Sequence, residues 1–169
     1  YGGTDLKLKL GVGDRELKLW NPSVSEGNLF FADADSEFFF EDLEPLGSNN
    51  FSEVDEALNM TGHNDSVSEV WDPDGDGVAE STKTFSIAGS SKTVPVVNST
   101  SDGTWKTGIM FDSADGEVYT GSEDLVFVTE IQDSVEGKYG IYDYEARVPS
   151  ALESLKQGVD AVKVYTEIR

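Results

Sequence analysis

Asp72, Asp74 and Asp76 stand at alternate positions in the run V-W-D-P-D-G-D-G-V-A-E-S, with Gly77 next and Glu80 four residues after the last aspartate. Carboxylates at this spacing offer side-chain oxygens that can converge on one hard cation, and the glycine permits the sharp turn that brings them together. The bland alternative is a solvated acidic turn, a real competitor in a chain with 33 acidic and 12 basic residues. Gly75 and Gly77 alternate with the aspartates as ligand geometry requires, and this favours the ion-binding reading.

The run resembles the first nine positions of an EF-hand-like calcium loop, as in the short acidic repeats of many extracellular proteins. The resemblance implies Ca2+ as the ion. Asp72, Asp74 and Asp76 would be ligands 1, 3 and 5, the Val78 carbonyl ligand 7 and Glu80 ligand 9. Position 12 is Lys83 rather than a bidentate glutamate, so the missing ligand has to come from elsewhere or from water, and weak affinity is expected. No helix is expected beside the loop, which argues against a calmodulin-type switch.

Other candidates are weaker. Asp33, Asp35 and Glu37 lack a glycine, and Asp112, Asp115 and Glu117 around Gly116 read more simply as an acidic hairpin turn. His63, the single histidine, lies in a polar stretch and reads as a solvated loop residue; no G-x-S-x-G or P-loop pattern accompanies it. Paired carboxylates suitable for glycoside hydrolysis carry no information in so acidic a chain. Trp20, Trp71 and Trp105 suit either core packing or stacking on sugar rings, and Trp71 adjoins the aspartate loop.

The net charge of −21 repels phosphates, excluding nucleic acid as a partner and arguing against anionic lipid surfaces. Two compatible explanations stand for the acid excess: adaptation to high salt, or an extracellular protein neutralised by bound calcium. The absence of cysteine rules out disulfides, zinc-thiolate sites and thiol nucleophiles. No run approaches the ~18 apolar residues of a membrane span; the chain is expected to be a soluble mature product or an ectodomain without membrane insertion. Asn50-Phe51-Ser52, Asn59-Met60-Thr61, Asn64-Asp65-Ser66 and Asn98-Ser99-Thr100 match the N-glycosylation pattern and point outside the cell.

The elements that must position these residues are strands. Alternation at Asp5–Leu10 and Arg15–Trp20 about the turn Gly11–Asp14 predicts a hairpin. Further strands are predicted at Leu29–Ala32, Glu37–Phe40, Thr84–Ala88, Thr93–Val97, Thr104–Phe111, Glu117–Thr120, Tyr139–Val148 and Val159–Ile168. Leu125–Val128, apolar on both faces, suits a central strand. Tyr142, Tyr144, Ala146 and Val148 are predicted to share one face, with Asp143, Glu145 and Arg147 on the other. The pattern breaks over 41–69, an insertion loop or cap with two helical turns at Glu53–Met60, and another short helical turn is predicted near Ala151–Gln157.

About ten short strands and little helix predict an all-β fold, a β-sandwich or jelly roll, in one domain spanning 1–169. The C-terminal pattern of a strand ended by Pro149 and a last strand V-D-A-V-K-V-Y-T-E-I resembles the final two strands of immunoglobulin-like surface domains over about thirty residues. The leading functional expectation is a non-enzymatic extracellular structural subunit of a filament or pilus, a surface layer or a virion, stabilised by calcium and adapted to high salt. Its partner would be copies of itself, by strand addition through Thr4–Leu10, unless that strand pairs within its own chain. The alternative is a glycan-binding β-sandwich module attached to a larger surface protein.

Overall fold

The computed structural model describes residues 11–12, 15–16, 26–32, 36–113, 118–149 and 163–168, with only the backbone of the first four. The N-terminal alternation gives a minimal antiparallel hairpin of β1 (Gly11–Val12) and β2 (Arg15–Glu16), with Val12 opposite Arg15. Gly11 and Val12, expected in the turn, are therefore strand residues. Thr4–Leu10, Trp20 and Ala151–Gln157 lie outside the described residues.

The remaining elements are β3 (Glu26–Ala32), β4 (Leu43–Pro45), α1 (Phe51–Ala57), α2 (Val67–Trp71), β5 (Thr82–Ile87), β6 (Ser90–Asn98), β7 (Lys106–Asp112), β8 (Leu125–Gln132), β9 (Val135–Gly137), β10 (Gly140–Tyr142) and β11 (Lys163–Ile168). Antiparallel pairing orders the main sheet β11-β3-β8-β7-β6-β5, and β4 adds to the second half of β7. The fold is all-β and sandwich-like: the sheet curls so that its strands enclose one apolar core and carry another outside.

Side-chain alternation divides the two cores. On β8, Leu125 and Phe127 join the outer cluster while Val126 and Val128 join the inner one. The central strand, predicted to be covered on both sides, is so covered. Leu29 and Phe31 of β3 likewise face outward, and Phe30 and Ala32 inward. Phe85, Ile87, Val94 and Val96 complete the inner core from β5 and β6. The outer core is capped by Leu46, Phe51, Val54, Val67 and Trp71, so the 41–69 excursion lies over the sheet. Burying each large aliphatic or aromatic side chain stabilises by ~1.5–3 kcal/mol relative to exposure, which makes the cap integral to the fold.

The curl brings distant strands together through side chains. The Asn28 amide donates to the Ser86 carbonyl at 2.7 Å, and the Glu167 carboxylate accepts the Ala88 amide at 2.8 Å. Between β5 and β8, Lys83 pairs with Glu130 at 2.6 Å.

Three predicted strands come out differently. Residues 36–39 form no ladder and Phe40–Asp42 is a 3-10 turn, because the alternating phenylalanines plug the inner core instead of pairing. Phe40 packs on Phe30 with ring centres 4.8 Å apart, and Phe38 on Tyr165 at 4.6 Å. Residues 118–120 are irregular. In the stretch Tyr139–Val148 only β10 is a strand, paired with β9. Tyr144, Ala146 and Val148 do pack on the outer cluster, but Tyr142 is exposed and Glu145 is buried. Beyond β10 the Asp143 carbonyl accepts the Gln132 amide at 2.7 Å, and side chains meet further backbone groups: the Thr129 hydroxyl donates to the Glu145 carbonyl, and the Arg147 amide to the Thr107 hydroxyl.

Candidate metal site

The acidic loop is mounted on α2. Ser66 caps that helix by accepting the Glu69 amide at 3.3 Å, and the Asp72 amide closes its last turn on the Ser68 carbonyl at 3.0 Å. Trp71, 1% exposed, anchors the helix by packing on Phe127 with ring centres 6.0 Å apart. A second clasp comes from α1. Asp55 is buried, and its carboxylate accepts the Val67 amide at 2.5 Å, the Ser68 amide at 3.1 Å and the Ser68 hydroxyl. The expectation of a loop without a neighbouring helix is corrected here: α2 runs directly into Asp72, while β5 follows on the other side.

Within the loop, backbone amides fix the carboxylates. Asp72 accepts the amides of Asp76 at 3.1 Å and Gly77 at 2.9 Å, while Asp74 also accepts the Asp76 amide, at 3.2 Å. Gly75 and Gly77 have φ of 72° and 81°, a region glycine enters without the strain a Cβ would impose. The loop closes where the Glu80 amide bonds the Trp71 carbonyl at 3.1 Å and the Ala79 amide bonds the Ser48 hydroxyl at 3.0 Å.

This folding brings together one carboxylate oxygen each from Asp72, Asp74 and Glu80, all within 4.8 Å of one another. Oxygens that share one calcium at 2.3–2.6 Å lie within about 5 Å of each other, so the three match the spacing such an ion needs. The Glu80 carboxyl is held above its usual range by the Asp74 charge beside it, then by burial and by Asp76 and Asp72. Mutual repulsion of this kind is relieved by a cation. Asp76 does not join the trio. Its carboxylate accepts the Val78 amide at 2.9 Å, and the Val78 side chain is exposed. Lys83, at the twelfth position, is drawn away by Glu130. A groove of about 350 Å³ adjoins Asp72 and Asp74 and is lined by Ser48, Asn49, Ser52, Ser68 and Glu69. Its polar side chains offer oxygens beyond those of the loop.

The other sequence candidates separate clearly. Asn59, Asn64 and Asn98 are exposed, whereas Asn50 is buried and its amide donates to the Tyr119 carbonyl at 3.3 Å. His63 is exposed in the turn between α1 and α2. Trp71 and Trp105 are core residues, 1% and 0% exposed, and present no face to a sugar. Asp33, Asp35, Asp115 and Glu117 lie outside the described residues; Glu37 is exposed and its amide bonds the Asp124 carboxylate. Asp112 instead neighbours Asp42 and Asp124. Burial, then the charges of those two residues, raises its carboxyl above the usual range. Sequence reading missed Asp55 and α2, although Ser66-x-x-Glu69 is the spacing of a capping box.

In comparisons with known proteins, no family model matches the chain, and neither does any curated protein or any solved structure.

Proposed function

We propose that this chain is a non-enzymatic structural subunit of an extracellular assembly, a filament, surface layer or virion, in which calcium pins the loop Asp72–Glu80 against the sheet. The observation that carries the reading is the approach of Asp72, Asp74 and Glu80 within 4.8 Å on a loop whose ends meet at the Trp71 carbonyl. A cation there would tie the end of α2 to the start of β5 and stiffen the cap over the outer core. Asn59, Asn64 and Asn98, exposed and within acceptor patterns, support an extracellular setting. The acid excess suits a surface that works in high salt, where counterions screen its self-repulsion.

The partner in this reading is a further copy of the chain. Sedimentation velocity in molar salt, with calcium and with chelator, tests it. Polymers that form in calcium and dissociate in chelator are expected; a monomer under both conditions contradicts the assembly. The glycan-binding module is a second reading, favoured by Tyr139 and Tyr142 at the β9–β10 hairpin, which are 71% and 44% exposed. Tyrosine faces can stack on sugar rings. Glycan-array binding lost in Tyr139→Ala would favour it over the structural subunit.

A further inference from the structure

We propose that β11 is an exchangeable strand: one copy of the chain engages the next by laying its Lys163–Ile168 strand along the β3 edge of its neighbour. The proposal rests on the reading of the chain as a self-assembling subunit and names the element that assembles it.

β11 lies at one end of the sheet order, and among the described residues its ladder is with β3 alone, running from Lys163 opposite Ala32 to Ile168 opposite Gly27. No residue of β11 is buried, whereas Gly27 to Ala32 of β3 are buried throughout. The receiving surface therefore belongs to β3 and is the same whichever copy supplies the strand. It is shaped for this sequence. Val164 packs on the outer cluster and Tyr165 on the inner one. The Tyr165 hydroxyl and the Lys163 amine both donate to the Ser36 carbonyl at 3.0 Å, and Glu167 accepts the amides of Asn28 and Ala88. At Gly27 any Cβ would overlap the Glu167 carbonyl oxygen, so the edge admits the strand only because that position is glycine.

Charge favours exchange over docking of whole surfaces. Two copies each carrying −21 repel one another. The strand K-V-Y-T-E-I is itself neutral, with Lys163 balancing Glu167. Exchange remakes the home contacts in the neighbour, so it needs no second interface of its own.

The absence of cysteine makes the test direct. Leu29 and Thr166 are opposed in register, and the Cα atoms of such pairs, about 4.5–5.5 Å apart, lie within disulfide reach. A chain carrying both Leu29→Cys and Thr166→Cys, oxidised as a monomer, has β11 locked at home. It is expected to stay monomeric under conditions where the wild type assembles, and reduction is expected to restore assembly. A mixture of the two single variants, assembled and then oxidised, is expected to give the covalent Leu29→Cys/Thr166→Cys heterodimer. The pair Ala32→Cys and Lys163→Cys, at the other end of the ladder, repeats the test should the first variant misfold. A locked chain that assembles as well as the wild type overturns strand exchange and leaves self-assembly standing. A wild type that never assembles overturns both.

Discussion

Two carboxylate sites, the single Asp55 and a cluster of three, sit at opposite ends of α2 and are closed in opposite ways. Asp55 is buried between α1 and α2, and its oxygens are met by the Val67 and Ser68 amides and the Ser68 hydroxyl. Asp72, Asp74 and Glu80 lie at the other end of α2, near solvent. Asp72 and Asp74 accept backbone amides, and one oxygen from each of the three carboxylates converges on the others. The first group is completed by the protein's own donors and holds the cap whatever the solution contains. In the second, three carboxylates face one another, and the calcium binding proposed above would make the stability of this segment a function of calcium.

The comparison can be broken from either side. The largest effect is expected from Trp71→Ala, which removes the anchor common to both groups. Large-to-small changes at buried tryptophan cost ~3–5 kcal/mol, and urea denaturation in calcium and in chelator should show a loss of that size in both. Asp55→Ala strands two amides at the start of α2. Each unsatisfied buried donor costs ~1–3 kcal/mol, and this loss too is expected to be independent of calcium; a loss confined to calcium-containing buffer would contradict the division drawn above.

Asp74→Ala is expected to behave in the opposite way, with little change in chelator but no response to calcium. For the wild type, calcium at one hundred times its dissociation constant contributes ~2.7 kcal/mol by mass action. Acid titration sharpens the contrast. Glu80 has a raised carboxyl pKa, so the native state without calcium holds that proton more tightly than the unfolded chain. Stability in chelator is then expected to rise as pH falls through the raised value toward 4.5, and Glu80→Gln should remove that rise. In calcium the bound ion would keep Glu80 ionised over that range, so the rise is expected to be absent and stability to fall only at lower pH, where protons displace the ion.

The smallest effect lies away from the loop. Burial alone would raise the Glu123 carboxyl, but the Thr120 hydroxyl and amide, with the Glu123 and Ser122 amides, hold it at about 2. Its contribution is present above pH 4.5 and is lost as pH falls through about 2. Thr120→Val is expected to move that carboxyl back toward its ordinary value in an NMR titration.

Period-two alternation made the sheet legible wherever both faces are buried: Leu125–Val128 and Leu29–Ala32 alternate between two cores and could serve as little else. It misled at Glu37–Phe40, where the same period serves to insert Phe38 and Phe40 into the end of the curl, because alternation reports which side is buried and not what the backbone pairs with. The buried Glu145 was hidden for a related reason. Its partners, the Thr100 hydroxyl and the Tyr139 amide, arrive from loops whose approach no local pattern encodes. In the acidic loop, spacing anticipated the approach of Asp72, Asp74 and Glu80 to one another. The Asp76 carboxylate accepts the Val78 amide, as short acidic side chains in turns commonly do. Asp55 could not be singled out among 33 acids, since its role depends on α2 standing over it.

The most direct test of the calcium-pinned loop is the melting temperature of the wild type and of Asp74→Ala, with and without calcium, at constant ionic strength. Matching the ionic strength separates a specific site from general screening of an acidic surface. A calcium-dependent rise in the wild type that is absent in Asp74→Ala is the expected result. Equal melting curves for the wild type in calcium and in chelator, or an equal rise in both proteins, would contradict the account.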